Sequence, residues 1–134
     1  MTATATLLVV EDNEDNLTLI DYLLKSHGFA PLLARNGLDG IRMASEERPD
    51  VILLDIRMPG MDGYEVAAAI RSKPELEHTR VVAVTASVMA ADRKRIEAAG
   101  FDGYLAKPIE PETFIAELER FLPASGAHSG QLRL

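Results

Sequence analysis

The sequence predicts an α/β fold, a doubly wound (βα)₅ domain whose five parallel strands lie in the order 2-1-3-4-5. Leu7-Leu8-Val9-Val10, Val51-Ile52-Leu53-Leu54 and Val81-Val82-Ala83-Val84 are nearly continuous apolar runs of strand length. That is the pattern of strands covered on both faces in a parallel sheet. Between them, apolar residues recur at helical spacing, as in Leu17, Ile20 and Leu24 or Phe114, Leu118 and Leu122. Pro31 decides the order: proline cannot donate to an interior ladder, so the strand that follows it belongs at an edge.

The first strand runs into Glu11-Asp12, and Asn13 is placed to cap the first helix, with Gly28 just past its end. Leu32-Leu33-Ala34 is the short second strand, and Leu38 with Ile41 mark the second helix. The third strand ends in Asp55, after which Asp62 caps the third helix. The fourth strand ends in Thr85 and leads to a helix carrying Arg93, Lys94 and Arg95. Tyr104-Leu105-Ala106 forms the fifth strand, Lys107-Pro108 follows, and Pro111 suits the first position of the last helix. Asp39-Gly40, Asp62-Gly63 and Asp102-Gly103 read as turns in which glycine supplies a positive dihedral angle. The methionines read as fillers of core and loop gaps. The expected division is an extension over 1–5, one domain over 6–122 and a flexible tail over 123–134, in which Ser125–Gly130 has no periodicity.

A chain of 134 residues supports one core. No apolar run approaches the ~18 residues of a membrane helix, and Met1–Ala5 lacks the basic start and apolar stretch of a secretory signal, so a cytoplasmic protein is expected. The absence of cysteine excludes disulfides and thiolate chemistry. A net charge of -7, with no strong basic cluster, argues against nucleic acid as a direct partner.

Ligand sites of open α/β sheets form beyond the carboxyl ends of the strands. In the order 2-1-3-4-5, strands one, three, four and five are neighbours, which brings Glu11, Asp12, Asp55, Thr85 and Lys107 to one pocket. Two like charges ~4 Å apart repel by about 4 kcal/mol at an effective dielectric near 20, so three carboxylates require a cation. Lys107 supplies one charge. Oxygen ligands without nearby His or Cys select a hard divalent ion, and Mg²⁺ is the usual choice where phosphate is handled. A carboxylate beside such an ion can act as nucleophile in phosphoryl transfer, and Asp55 is the best placed. Each residue alone would be an ordinary turn or cap; their coincidence on adjacent strand ends points to function.

These residues resemble a known family, the response-regulator receiver domains of CheY-like, flavodoxin-like fold. The resemblance covers Thr6 to about Leu122 and is carried by Val10-Glu11-Asp12-Asn13, Leu54 through Gly63, Val84-Thr85-Ala86, and Ala99-Gly100 through Tyr104-Leu105-Ala106-Lys107-Pro108. It implies that Asp55 is the phosphoacceptor of a two-component phosphorelay. It further implies that Asp12 and Asp55 bind Mg²⁺ directly, Glu11 through water, and Arg57 through its backbone carbonyl. Thr85 and Lys107 would bind phosphoryl oxygens, Tyr104 would turn inward on activation, and Lys107-Pro108 would be a cis peptide. Arg57 and Ser87 would flank the phosphoryl group.

By the same resemblance the partners are a histidine kinase or histidine phosphotransfer protein, and a downstream protein that reads the face of helix 4, strand 5 and helix 5. A monomer or a weak phosphorylation-dependent dimer is expected, acting as a switch that catalyses only transfer to and hydrolysis from its own aspartate. The start Glu11-Asp12-Asn13 with Asn16 is similar to single-domain regulators of cell-cycle and sporulation relays and to receivers of hybrid kinases, from which such a chain could have been excised. After the last helix only a short tail remains, so output would pass through a partner protein. Two rivals stand beside this reading. A phosphohydrolase of the haloacid-dehalogenase type would need an acid two residues after Asp55, where Arg57 stands, and a pseudo-receiver would not need the intact polar set.

Overall fold

The computed structural model describes residues 5–123. Five strands, β1 (Leu7–Val10), β2 (Leu32–Ala34), β3 (Val51–Asp55), β4 (Arg80–Thr85) and β5 (Gly103–Ala106), alternate with five helices. These are α1 (Glu14–Ser26), α2 (Gly37–Glu47), α3 (Gly63–Arg71), α4 (Ala90–Ala98) and α5 (Pro111–Glu119), with a short 3₁₀ turn at Pro74–Leu76. All strand pairs are parallel and the order is β2-β1-β3-β4-β5. β2, which follows Pro31, is an edge, as the missing N–H requires. The expected tail segment Ser125–Gly130 and Met1–Thr4 lie outside the described residues, whereas Ala5 is buried in the core.

The continuous apolar runs arise because each central strand feeds two cores. Leu7, Val9, Val51 and Leu53 face α1 and α5, where they meet Leu17, Ile20, Leu24, Phe114 and Leu118. Leu8, Val10, Ile52 and Leu54 face the other way, toward Val66, Ile70, Ile96 and Phe101. Caps fix the helix starts. The Asn13 side chain accepts from the Asn16 N–H at 2.9 Å, and Asp62 and Glu65 form a reciprocal capping box on α3. Gly28, at φ 89°, ends α1 as expected.

Several local expectations are corrected. Gly40 lies inside α2, Gly63 opens α3 and Gly103 opens β5; the positive φ angles fall instead at Gly28, Gly60, Gly100 and Arg48. Space, not dihedral freedom, requires glycine at 40 and 63: a Cβ at Gly40 would stand 2.8 Å from Val10 Cγ2, and one at Gly63 only 2.5 Å from the Asp55 carbonyl oxygen. Gly37, Gly40 and Ala44 form the buried face of α2, Gly40 against Val10 of the sheet and Gly37 against Val66 and Met61, while Leu38 is turned outward, 70% exposed. Met58 is buried and Met43 and Met61 are partly so, but Met89, preceding α4, is 72% exposed.

Candidate functional site

Strand register delivers the polar residues to one end of the sheet. Val10 pairs with Leu54, so Glu11 leaves β1 beside Asp55 at the end of β3. Thr85 pairs with Ala106, and the Lys107 N–H donates to the Thr85 carbonyl at 2.8 Å, which sets the lysine at the mouth of the same end. The Lys107-Pro108 peptide is cis, as expected.

Glu11 and Asp55 are buried and Asp12 is exposed, and one oxygen from each lies within 4.8 Å of the others. Lys107 Nζ donates to Asp55 Oδ1 at 3.0 Å and stands 3.3 Å from Glu11 Oε1. The Arg57 N–H also approaches Asp55 Oδ1, at 3.3 Å, and the Asn13 N–H donates to Glu11 Oε2 at 3.2 Å. Burial pushes the Glu11 carboxyl up to about 7, and the neighbouring Asp55 adds to the effect through a hydrogen bond and its charge. At Lys107 burial acts to lower the ammonium, but the hydrogen bond and charge of Asp55 and the charge of Glu11 outweigh it and hold it above its ordinary value.

One lysine leaves the cluster short of positive charge. Buried Glu11 Oε1 has only the Lys107 ammonium, at 3.3 Å and shared with Asp55, to offset its charge, and every oxygen in the set is a hard carboxylate ligand. Such a set fits a divalent cation of the Mg²⁺ kind.

Thr85 is buried at the end of β4, and its hydroxyl both accepts from the Ser87 N–H and donates to the Ser87 carbonyl, each at 3.1 Å. Beside it opens a cavity of about 500 Å³ between the loops after β3 and β4, with Arg57, Met58, Thr85 and Ser87 in its wall. Tyr104 stands on the edge strand β5, 37% exposed. Sequence reasoning brought Glu11, Asp12, Asp55, Thr85 and Lys107 to one pocket; the structure gathers the three carboxylates and Lys107 into one cluster and sets Thr85, bonded to Ser87, with Arg57 in the wall of the adjoining cavity. Sequence reasoning missed the Asn13 and Arg57 N–H groups, since backbone donors carry no side-chain signal, and the close approach of Gly63 behind Asp55.

The response regulator receiver domain family matches residues 7–119. The chain belongs to that family. This receiver is 40% identical over 116 residues to the polar-differentiation response regulator DivK of Brucella anthropi, a match covering 87% of this chain and 94% of DivK. Its fold superposes on chemotaxis protein CheY4 of Vibrio cholerae with a TM-score of 0.85 at 30% identity, covering 90% of this chain and all of the other. It is also similar, at 35% identity and a TM-score of 0.80, to the receiver domain of a sensor histidine kinase of Pseudomonas aeruginosa, solved with a magnesium ion coordinated in its active site cleft. That match covers 89% of this chain and 98% of the kinase receiver. The receiver is therefore a two-component signalling switch, of a family that binds Mg²⁺ at an acidic pocket and interacts with histidine kinases and downstream targets. None of these matches supports the phosphohydrolase alternative. Among the described residues no helix is long and apolar enough to cross a membrane.

Proposed function

We propose that Asp55 is the phosphoacceptor of this receiver. One observation carries the reading: Asp55 is buried at a strand end, and Lys107 and the Arg57 N–H both engage its Oδ1 and spare Oδ2. In this reading Oδ2 attacks the phosphorus of a phosphohistidine on a kinase or phosphotransfer protein. The new P–O bond forms as the P–N bond breaks, and the imidazole nitrogen leaves and takes its proton from solvent. Lys107 holds the carboxylate oriented and neutralises phosphoryl oxygen charge. Asp12, Asp55 and the Arg57 carbonyl are the residues to hold Mg²⁺ directly, with Glu11 through water; when bound, the ion supplies further neutralisation of phosphoryl charge. Attack of water on the acyl phosphate returns the Asp55 carboxylate and inorganic phosphate.

Thr85 is the group that reports the phosphoryl, by leaving Ser87 and turning its hydroxyl to a phosphoryl oxygen, and Tyr104 follows into the space vacated. The output face is α4, β5 and α5, read by a cytoplasmic protein partner, with the domain spanning 6–122 and acting as a monomer or weak phosphorylation-dependent dimer. Incubation with acetyl phosphate and Mg²⁺ should add one phosphoryl mass to the intact protein, and EDTA or Asp55→Asn should prevent it. Failure of the wild type to gain that mass overturns the reading.

A further inference from the structure

Helix α4 is weakly held. It buries only Ile96 of its own residues, and Met89 at its N-cap position offers no side-chain acceptor to the first turn, unlike Asn13, Asn36 and Asp62 on α1, α2 and α3. Asp92, the third residue of α4, does not reach back to the cap as Glu65 does in α3. It accepts instead a hydrogen bond from the Ser87 hydroxyl. The adjacent Arg93 guanidinium donates to the Val88 carbonyl, so the first turn of α4 grips the β4–α4 loop at two successive residues. The third tie is Arg95, whose guanidinium lies 3.9 Å over the Tyr64 ring at the start of α3.

Ser87 is the same residue whose N–H and carbonyl occupy the Thr85 hydroxyl. A single residue therefore connects Thr85 through its backbone and α4 through its side chain. The cavity of about 500 Å³ is bounded by Thr85, Ser87, Asp92, Arg95 and Tyr64, so the loop has space to move into once released.

We infer that the Ser87–Asp92 hydrogen bond is a latch that holds the β4–α4 loop in the resting arrangement, with Asp92 as a positioning residue for the Thr85 switch. It acts by keeping the Ser87 backbone where it engages the Thr85 hydroxyl, so Thr85 cannot turn until the latch opens. The inference rests on Thr85 being the switch residue of the proposed function. A hydrogen bond to a carboxylate that exists in one state and not the other shifts a two-state equilibrium by about tenfold or more.

The rotamer readout needs no phosphodonor. Three-bond couplings to the Thr85 methyl report its χ1 rotamer in the unphosphorylated protein. Wild type should show one rotamer; Asp92→Ala and Ser87→Ala should each show averaged couplings. The double variant should go no further than either single variant, because both remove one interaction. Asp92→Asn, which keeps an acceptor oxygen, should restore most of the wild-type value, a recovery that mere loosening of α4 would not give. A single Thr85 rotamer retained in both single variants overturns the latch, as does a double variant that exceeds them. Intact mass after acetyl phosphate treatment is measured alongside: absence of a phosphoryl on wild-type protein sinks the phosphoacceptor reading, whereas normal phosphorylation with an unmoved Thr85 sinks only the latch.

Discussion

Replacing Glu11 by glutamine removes one buried charge while leaving an oxygen for the Asn13 N–H to bond. Its magnitude follows from the environment of Glu11, whose side chain is 2% exposed and whose carboxyl is raised from 4.5 to about 7. The gap, at about 1.4 kcal/mol per pH unit, amounts to ~3 kcal/mol. Because the folded-state value lies above the unfolded one, this contribution is fully present below pH 4.5 and is lost as pH rises through about 7. Most of the loss falls between pH 5 and 7.5. Water at the mouth of the pocket, where Asp12 is exposed, screens part of it, leaving about 1–2 kcal/mol across that interval. Urea unfolding in EDTA at the two pH values should show wild type losing that much stability relative to Glu11→Gln, since the two proteins differ at that carboxyl alone. Parallel pH dependence, or a glutamine variant less stable than wild type at pH 7.5, would refute the account of the pocket as short of positive charge.

Asp12→Ala should be no less stable than wild type in EDTA, and its melting temperature should ignore millimolar Mg²⁺ that raises that of wild type; an unchanged Mg²⁺ response in the variant would place the ion elsewhere. Gly63→Ala puts a Cβ 2.5 Å from the Asp55 carbonyl oxygen and 2.7 Å from Ile56 Cα, backbone atoms that cannot yield cheaply, so urea unfolding should show a loss of about 2–4 kcal/mol. A loss below about 1 kcal/mol would mean that the loop behind Asp55 is softer than its packing implies. Thr85→Ala should accept a phosphoryl group on Asp55 yet show little NMR shift change across Met89–Arg95 and Gly103–Lys107, and the full wild-type perturbation there would end the coupling of Thr85 to Tyr104.

The sheet was legible because its signals are local and redundant. Runs such as Val51–Leu54 are apolar on both faces since each residue meets one core or the other, and Pro31 could stand only at an edge. The acidic cluster was legible because topology alone aligns strand ends, so Glu11, Asp12, Asp55 and Lys107 could be brought together without side-chain detail. Glycine was misread at 40 and 63, where the reason for it is a neighbour distant in sequence, Val10 in one case and Asp55 in the other. Leu38 misled for a related reason: helical spacing marks a stripe, but the closeness of α2 to the sheet decides which stripe turns in. The ties of Asp92 to Ser87 and of Arg95 to Tyr64 depend on how α4 is set against its neighbours, and α4 has too few apolar residues to announce that placement.

Trapping the acyl phosphate shows whether Asp55 carries the phosphoryl group. After incubation with acetyl phosphate and Mg²⁺, borohydride reduces an aspartyl phosphate to homoserine, which peptide mass spectrometry locates by residue. Homoserine is expected at position 55 and nowhere else, and is absent when Mg²⁺ is chelated. Homoserine at Asp12 or another carboxylate, or an unmodified peptide containing Asp55, would contradict the assignment of the phosphoryl group to Asp55.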